Sequence, residues 1–415
     1  MNEQLTVKNF GPITEATVDF KRVTVFIGPT GGGKSTLAKL AAIFRDGTFL
    51  DSFSGVSRIN FFRKFTIEKY FHLSSLFNWR TSDGDEIVTD KELKFDSSIL
   101  EEKGSARYKE SLSNPFSRIS KLIAEIKKEI NELPSDSPYR DKLYGKPMSG
   151  FTEVPVNEPR AQEIIRLIDG QISPCVPFYI LSERIFVSAI EYSWAGLISE
   201  KIGLPRTLVE FINNLLQTKR EILELNIPFF NVRYVHQNGQ DFIKIPESDT
   251  LFHLYETASG IQSVTPLLVL LEHLSRNTEQ AQSFIIEEPE LNLYPTAQQG
   301  LMNWLVEKCT KGDNDLTITT HSPYILSHFN LLLYAYQVGN QSDEKKARVK
   351  VLIPEESWIN PDEFAAYYVN GPEGTNGVRS LINPETKLIS QNGLDDVSGI
   401  QAILFDQLLD INSGF

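Results

Sequence analysis

The stretch Gly28-Pro-Thr-Gly-Gly-Gly-Lys-Ser-Thr36 decides the fold, because it matches the phosphate-binding pattern G-x-x-x-x-G-K-[ST] at every position. An apolar, β-branched run over residues 23–27 precedes it, and an amphipathic stretch over residues 37–44 follows it. This order predicts a strand, a glycine-rich loop and a helix. Inward-turned backbone N–H groups and the helix N-terminus would then bind phosphate. The sequence therefore predicts a nucleoside triphosphate site.

The residues of this loop have separate expected roles. Lys34 is expected to reach the β- and γ-phosphates, and the Ser35 hydroxyl is expected to bind Mg²⁺. The glycines allow the backbone to form the anion nest. The predicted ATP-binding residues of the loop are Gly28, Thr30, Gly31, Gly32, Gly33, Lys34, Ser35 and Thr36. The expected cofactors are ATP and Mg²⁺.

Length, charge and cysteine content restrict the class of protein. The 415 residues exceed one typical core, so two lobes or one domain with a large insertion are expected. A net charge of −13 disfavours a protein that coats nucleic acid, although it leaves a local basic groove open. The two cysteines lack metal-ligand spacing, no stretch approaches the roughly 18 apolar residues of a membrane span, and the N-terminus does not look like a signal peptide. We therefore expect a cytoplasmic protein without a disulfide framework or membrane contact.

A second group of chemical residues follows a short apolar strand far downstream. The stretch Ser283-Phe-Ile-Ile-Glu-Glu-Pro-Glu290 places two adjacent carboxylates at the end of that strand. Glu287 is expected to hold the Mg²⁺ coordination shell, and Glu288 to orient or polarise the attacking water. A surface acidic turn is the alternative reading, which the preceding strand and the upstream glycine loop disfavour.

A histidine ends another β-rich run, Leu316-Thr-Ile-Thr-Thr-His321. A hydrogen bond from His321 to a γ-phosphate oxygen would sense whether ATP is intact. A helix-capping or otherwise satisfied histidine is the alternative.

The pair Ser259-Gly260 opens a predicted helix and offers a hydroxyl and free N–H groups as a second anion site, with simple helix capping as the alternative. Pro266 restricts that helix, and its position favours a start around Ser263.

Lys34 and Glu287 are 253 positions apart (287 − 34), which is far more than one strand–helix–strand unit needs. The intervening chain should therefore hold a large insertion, and residues 105–135 have the spacing of a helix. The predicted parts are an N-terminal half of the head at 1–100, a mainly helical insertion lobe at 101–230, a C-terminal half at 231–340 and a small cap at 341–415. The cap is expected to pack through the apolar side chains Ile403, Leu404, Leu408 and Leu409.

Together, these motifs resemble the ABC-type ATPase heads of the SMC, RecF and OLD group. Gly28 to Ser35 matches the Walker A motif, 258–262 the signature, 285–288 the Walker B motif and 319–323 the switch-histidine loop. The resemblance implies an α/β fold, a mixed sheet with flanking helices, interrupted by the insertion lobe. It also implies a homodimer or higher homo-oligomer that sandwiches two ATP molecules, with Ser259 and Gly260 contacting the nucleotide of the partner protomer.

Finer features resemble one branch of this group. The stretch Glu287-Glu-Pro-Glu-Leu-Asn-Leu-Tyr-Pro295 is similar to the E-E-P-E-x-x-L-x-P segment of OLD-like ATPases, and Phe178-Tyr-Ile-Leu-Ser-Glu-Arg184 to their Y-I-x-x-E-R segment. The opening Lys8-Asn-Phe-Gly-Pro-Ile13 looks most like PARIS-type anti-phage systems. Such subunits work with a separate nuclease, TOPRIM-like in PARIS-type and HNH in Septu-type systems. The resemblance therefore implies a defence ATPase that controls a nuclease effector in response to a phage-encoded trigger.

Two departures from the group limit this resemblance. No glutamine occurs between Gln4 and Gln162, so the usual Q-loop glutamine is missing or replaced. Fewer than 100 residues follow His321, and their aspartates lack a D-x-D arrangement, so nuclease activity in the same chain is not expected. A RecF- or SMC-like DNA-repair clamp is the main alternative. A transporter subunit fits poorly.

Overall fold

The computed structural model describes residues 3–46, 49, 55–81, 86–90, 175–190, 203–246, 248, 250–276, 281–370, 377–390 and 403–409. The helix predicted at 105–135 and most of the predicted insertion lobe lie outside these residues, so the lobe stays a prediction. None of the described helices combines the length and the apolar sequence of a membrane span.

Fourteen strands form three sheets within the described part of the chain. The strands are β1 (Glu3–Phe10), β2 (Ile13–Phe20), β3 (Val23–Ile27), β4 (Phe71–Arg80), β5 (Glu86–Asp90), β6 (Cys175–Ile180), β7 (Glu224–Ile227), β8 (Val232–Gln237), β9 (Gln240–Lys244), β10 (Leu251–His253), β11 (Ala281–Glu287), β12 (Asp315–Thr320), β13 (Phe364–Val369) and β14 (Val378–Ser380). Their orders are β2-β1-β4-β5, β10-β9-β8-β7 and, in the central sheet, β14-β13-β3-β12-β11-β6. The predicted α/β class with a mixed sheet is confirmed.

Helices flank these sheets. They are α1 (Lys34–Arg45), α2 (Gly55–Lys64), α3 (Ile185–Ala189), α4 (Arg206–Thr218), α5 (Ser259–Leu274), α6 (Pro295–Cys309), α7 (Pro323–Gly339) and α8 (Asp343–Leu352). Residues 403–409 are also helical.

The central sheet brings the ends of distant segments together. Strands β13, β3, β12, β11 and β6 run parallel, and only β14 is antiparallel to its neighbour. The register pairs Ile27 with Thr320 and Glu287 with Thr319. Because the carboxyl ends of parallel strands share one edge, the glycine loop, the carboxylates and His321 all leave the sheet at that edge.

The two faces of the central sheet lie in separate cores. Side chains alternate along a strand, so Val25 and Ile27 face one core and Phe26 faces the other. Helices α4 to α7 and the β7–β10 sheet supply the first core, and α1 packs with the β1, β2 and β4 strands in the second. The helix that follows the glycine loop is thereby fixed against the sheet.

A buried cluster of charged residues lies at the opposite edge of the central sheet. Arg45, at the end of α1, donates from Nε to Glu3 Oε2 at 2.7 Å and from Nη1 to Asp315 Oδ1 at 2.9 Å and Ser283 Oγ at 2.6 Å. Burial raises the pKa of Asp315 to about 6, and Arg45 partly opposes this shift. The cluster joins β1, α1, β11 and β12 through charge-assisted hydrogen bonds.

Two predicted boundaries do not match the sheet. Strand β6 lies inside the stretch predicted as insertion lobe, yet it pairs with β11 as an edge strand of the central sheet. Strand β13 lies inside the predicted cap, yet it pairs with β3 beside the glycine loop. Both strands are apolar and short, and sequence periodicity does not assign such strands to a particular sheet.

Two local predictions are wrong. The side chains of Ile403, Leu404, Leu408 and Leu409 are 50% to 62% exposed, so residues 403–409 do not pack as an apolar cap. Helix α5 begins at Ser259 and contains Pro266 in its interior. A proline has no N–H for the carbonyl four residues earlier, and the Ser188 hydroxyl donates to that Gln262 carbonyl at 2.8 Å. This side-chain hydrogen bond replaces the lost backbone bond.

Candidate nucleotide site

The glycine loop has the backbone that a phosphate nest requires. Gly31 and Gly33 have φ angles of 78° and 105°, in the region where side chains are strained. Gly28 has a φ of 149°, and a Cβ there would lie 2.3 Å from the Val369 carbonyl oxygen. The close approach of β13 therefore demands glycine at the first position of the loop.

Lys34 lies under this loop at the first turn of α1. Its Nζ donates to the carbonyls of Gly28 and Pro29, both at 2.9 Å, and the residue is only 4% exposed. Burial lowers the pKa of Lys34, whereas the negative charges of Glu288, Glu290 and Glu287 oppose the shift. The charges of Lys34 and the three carboxylates are therefore close enough to stabilise one another.

The carboxylates occupy the turn after β11. Glu287 is buried, and its Oε1 makes no hydrogen bond of ordinary geometry within the described residues, although the Tyr179 hydroxyl is close enough to interact with its carboxylate. The hydroxyl of Tyr179 is also buried, and burial followed by the Glu287 charge raises its pKa well above the usual value. Glu288 has a positive φ of 42°, and its N–H donates to the Thr319 carbonyl at 2.9 Å.

His321 faces one of these carboxylates. Its Nε2 lies 3.3 Å from Glu288 Oε1. Burial and then the Lys34 charge lower the pKa of His321, and Glu288 opposes that shift. The ring is therefore neutral at neutral pH, with Nε2 able to donate.

A third carboxylate fixes the backbone of His321. Glu290 Oε1 accepts from Thr320 Oγ1 at 2.5 Å and from the His321 N–H at 2.9 Å. Burial raises the pKa of Glu290, although these two hydrogen bonds oppose the shift. Sequence reasoning gave Glu290 no role, because its partners lie on a neighbouring strand.

Sequence reasoning also missed Arg184 as a member of this site. Its guanidinium is fully buried and donates to the carbonyl oxygens of Glu287 at 2.8 Å and Glu288 at 2.7 Å. Burial lowers the pKa of Arg184 to about 10, so it stays charged. The Y-I-x-x-E-R resemblance was the only sequence signal for this position.

Ser259 and Gly260 lie at the start of α5. Ser259 is exposed, so its hydroxyl faces the surface. Gly260 is buried, and a Cβ there would lie 2.7 Å from the Asn292 carbonyl oxygen and 3.0 Å from Leu293 Cδ2. The glycine therefore allows α5 to pack closely on the loop that follows the carboxylates.

These residues fit ATP and Mg²⁺. The loop supplies N–H groups and the Lys34 ammonium for phosphate, while Thr30 and Gly31 are exposed and Ser35 is partly exposed at its mouth. The buried carboxylate of Glu287 and the Ser35 hydroxyl are the hard oxygen donors that Mg²⁺ prefers. Thr36 is buried in the first turn of α1.

The solved structures that match this chain include SMC heads. The SMC head domain from Thermotoga maritima matches at 12% identity and a TM-score of 0.34, over 79% of this chain and 92% of that chain. An SMC head bound to the C-terminal winged-helix domain of ScpA matches at 11% identity and a TM-score of 0.34, over 93% and 98%. A third, an SMC head with an extended coiled coil bound to the C-terminal domain of ScpA, derived from Pyrococcus furiosus, matches at 11% identity and a TM-score of 0.31, over 97% and 98%.

No curated protein matches the chain significantly. The family model for the AAA ATPase domain matches residues 1–169 and 188–326, which include the glycine loop, the carboxylates and His321. This match covers well over half of the sequence. The chain therefore belongs to the AAA ATPase domain family.

Proposed function

We propose that this chain binds and hydrolyses ATP at the edge formed by the glycine loop, Glu287, Glu288 and His321. The observation that carries the proposal is the contact between His321 Nε2 and Glu288 Oε1 within the electrostatic reach of Lys34. The Glu288 carboxylate can accept a hydrogen bond from water, whereas a neutral imidazole has only one N–H. When ATP binds, the Nε2–H of His321 would therefore turn from Glu288 to a phosphate oxygen. Glu288 is the proposed water-orienting base, and His321 is the proposed γ-phosphate contact.

ATP and Mg²⁺ would be held by the remaining residues of the site. Lys34 and the loop N–H groups bind the phosphates, and Ser35 and Glu287 are the proposed Mg²⁺ ligands. Mg²⁺ would supply charge neutralisation at the reacting phosphate. Arg184 keeps a positive charge behind the carboxylates.

Nucleotide affinity tests the binding half of this proposal. Lys34→Ala removes a charge-assisted phosphate contact, so the Kd for ATP should rise by at least roughly 100-fold. Lys39→Ala, on the same helix but partly exposed, is the matched control and should bind ATP like the wild type. Equal affinity of Lys34→Ala and wild type would remove the glycine loop from the nucleotide site.

We further propose that the active form is a homodimer or higher homo-oligomer with a composite site. The exposed position of Ser259 at the N-terminus of α5 supports a contact with the nucleotide of a second protomer. Mixing Lys34→Ala protomers with Ser259→Arg protomers should restore part of the activity that each lacks, because the mixed dimer contains one intact site. No recovery in confirmed mixed dimers would contradict this arrangement.

The biological role we propose is that of the ATPase subunit of an anti-phage system. It would control a separate nuclease effector, TOPRIM-like or HNH, and respond to a phage-encoded trigger. The support is the resemblance of 178–184 and 287–295 to OLD-like defence ATPases. If the neighbouring gene encodes such a nuclease, co-expression of the two proteins should give a complex, and phage protection should require both proteins and an intact Glu288. Protection by the ATPase alone would contradict the role.

The alternative is a RecF- or SMC-like clamp that grips DNA directly. A clamp would bind DNA with an affinity that falls steeply with salt, because Lys and Arg displace counterions. The net charge of −13 disfavours this alternative. A titration of the ATP-bound protein with duplex DNA at several salt concentrations separates the two roles.

A further inference from the structure

Arg184 forms an unusual set of contacts for a buried cation. It ends the short 3-10 turn Ser182–Arg184, directly after β6, and none of its surface is exposed. Its hydrogen bonds go to three backbone carbonyls: Nη1 donates to Leu181 at 3.2 Å and to Glu287 at 2.8 Å, and Nη2 donates to Glu288 at 2.7 Å. Burying a charge is costly unless it is well hydrogen-bonded, so these contacts hold the guanidinium in one orientation.

Two hydrogen bonds hold the backbone of Glu288, one at its N–H and one at its carbonyl. Its N–H donates to the Thr319 carbonyl at 2.9 Å, and its carbonyl accepts from Arg184. The φ of 42° is uncommon for a residue with a side chain and persists only where the surroundings enforce it. This backbone conformation directs the Glu288 carboxylate at His321 Nε2, 3.3 Å away.

We propose that Arg184 is a positioning residue for ATP hydrolysis, because its guanidinium holds the carbonyls of Glu287 and Glu288 and so directs the Glu288 carboxylate. The inference rests on the proposed function, in which Glu288 orients the attacking water. The hydrogen bonds of Arg184 to the carboxylate pair go to their backbone carbonyls, whereas the carboxylate charges act on Arg184 only through space. A lysine at this position keeps the charge but not these hydrogen bonds, so the two effects can be separated. Its planar fork reaches carbonyls of two adjacent residues at once, which a lysine ammonium does not reproduce.

The position of Arg184 in the chain connects this contact to a second element of the site. Strand β6 pairs with β11 in the central sheet, and Arg184 lies four residues beyond the end of β6. One turn later, Ser188 donates to the Gln262 carbonyl in α5 at 2.8 Å. A single short segment therefore contacts both the carboxylate turn and the helix that begins at Ser259.

Replacing the guanidinium while keeping the charge tests the proposal. In full-length protein, Arg184→Lys should lower kcat by about 10- to 100-fold, because the carboxylate loses its orientation. The Kd for a non-hydrolysable ATP analogue should change by less than about threefold, because the phosphate contacts of the glycine loop remain. Arg276→Lys, which alters an exposed arginine paired with Glu272, is the matched control and should keep the wild-type kcat.

A double variant separates positioning from general damage. If Arg184 acts through Glu288, then Arg184→Lys should cause no further loss of kcat when Glu288→Gln is already present. Equal fold losses in both backgrounds, or joint losses of kcat and analogue binding, would overturn the proposal. If Arg184→Lys does not fold, Arg184→Ala assayed with millimolar guanidinium is the second test, and partial recovery of kcat is expected. Absence of recovery in folded Arg184→Ala would count against positioning.

Failure of the proposed function gives a different result. In that case Glu288→Gln itself would turn over ATP at the wild-type rate, and the inference would fall with it. Loss of turnover in Glu288→Gln with an unchanged kcat in Arg184→Lys would overturn the positioning role alone.

Discussion

The Nε2 atom of His321 lies 3.3 Å from Oε1 of Glu288, although the two residues end different strands. Two further buried groups hold them there. Arg184 donates to the carbonyl of Glu288, and Glu290 accepts from the N–H of His321. The pair is thus oriented through its backbone as well as through its side chains.

Turnover should depend on the protonation state of His321. The pKa of His321 is lowered from 6.5, so the ring is neutral at neutral pH. Protonation at lower pH would pair the imidazolium with the Glu288 carboxylate and withdraw that carboxylate from water. We expect kcat to fall as the pH drops below 6.5, and His321→Gln to have a lower kcat without this acid limb. Superimposable pH–kcat profiles for the two proteins would contradict the role of His321.

Close packing at Gly260 should be essential. A Cβ at this position would lie 2.7 Å from the Asn292 carbonyl oxygen, which is closer than real contacts allow. Gly260→Ala should therefore shift α5 away from the loop after the carboxylates, lower Tm by several degrees and lower kcat. Gly203→Ala is the matched control, because nothing lies within 4 Å of its added Cβ. Equal Tm values for the two variants would show that α5 does not pack as described.

A buried histidine outside the site should make stability depend on pH. His328 Nε2 contacts Asn303 Oδ1 at 2.7 Å, whereas its Nδ1 is buried without a partner, and burial lowers its pKa from 6.5 to about 4. As the pH falls, His328 therefore takes up a proton at a higher pH in the unfolded chain than in the folded chain. The free energy of unfolding should decrease as the pH drops from 6.5 towards 4. The loss from this residue is at most about 3 kcal/mol.

The measurement is the free energy of unfolding of His328→Gln and wild type across that pH range. The variant should show a shallower fall, and the exposed control His72→Gln should follow the wild type. A fall as steep in His328→Gln as in the wild type would assign the acid sensitivity to other groups.

The fold near the glycine loop could be predicted from sequence because its signals are local. The motif is continuous, and the strands β3, β11 and β12 each precede a chemical residue, so the edge at which they meet follows from parallel pairing. The structure confirms these three strands. The residue roles at this edge stay predictions.

Other features could not be predicted because they depend on tertiary contacts between residues that are far apart in the sequence. Pro266 was expected to delay the start of α5, but the Ser188 hydroxyl, 74 positions away from Gln262, supplies the missing donor. Arg184 acts on carbonyls, which have no sequence signature, and its partners are 103 and 104 positions away. The apolar residues at 403–409 predicted a packed cap, but these side chains are exposed. Whether an apolar side chain is buried depends on the elements that pack against it, and the spacing of apolar residues in the sequence does not show those elements.

The measurement that tests the central claim most directly is a comparison of ATP binding and single-turnover hydrolysis in Glu288→Gln. The substitution keeps the shape of the side chain but removes the negative charge that orients water. We predict ATP affinity within about threefold of the wild type and phosphate formation slower by at least roughly 100-fold. Glu307→Gln, on the exposed side of α6, should match the wild type in both. Hydrolysis by Glu288→Gln at the wild-type rate would contradict the account.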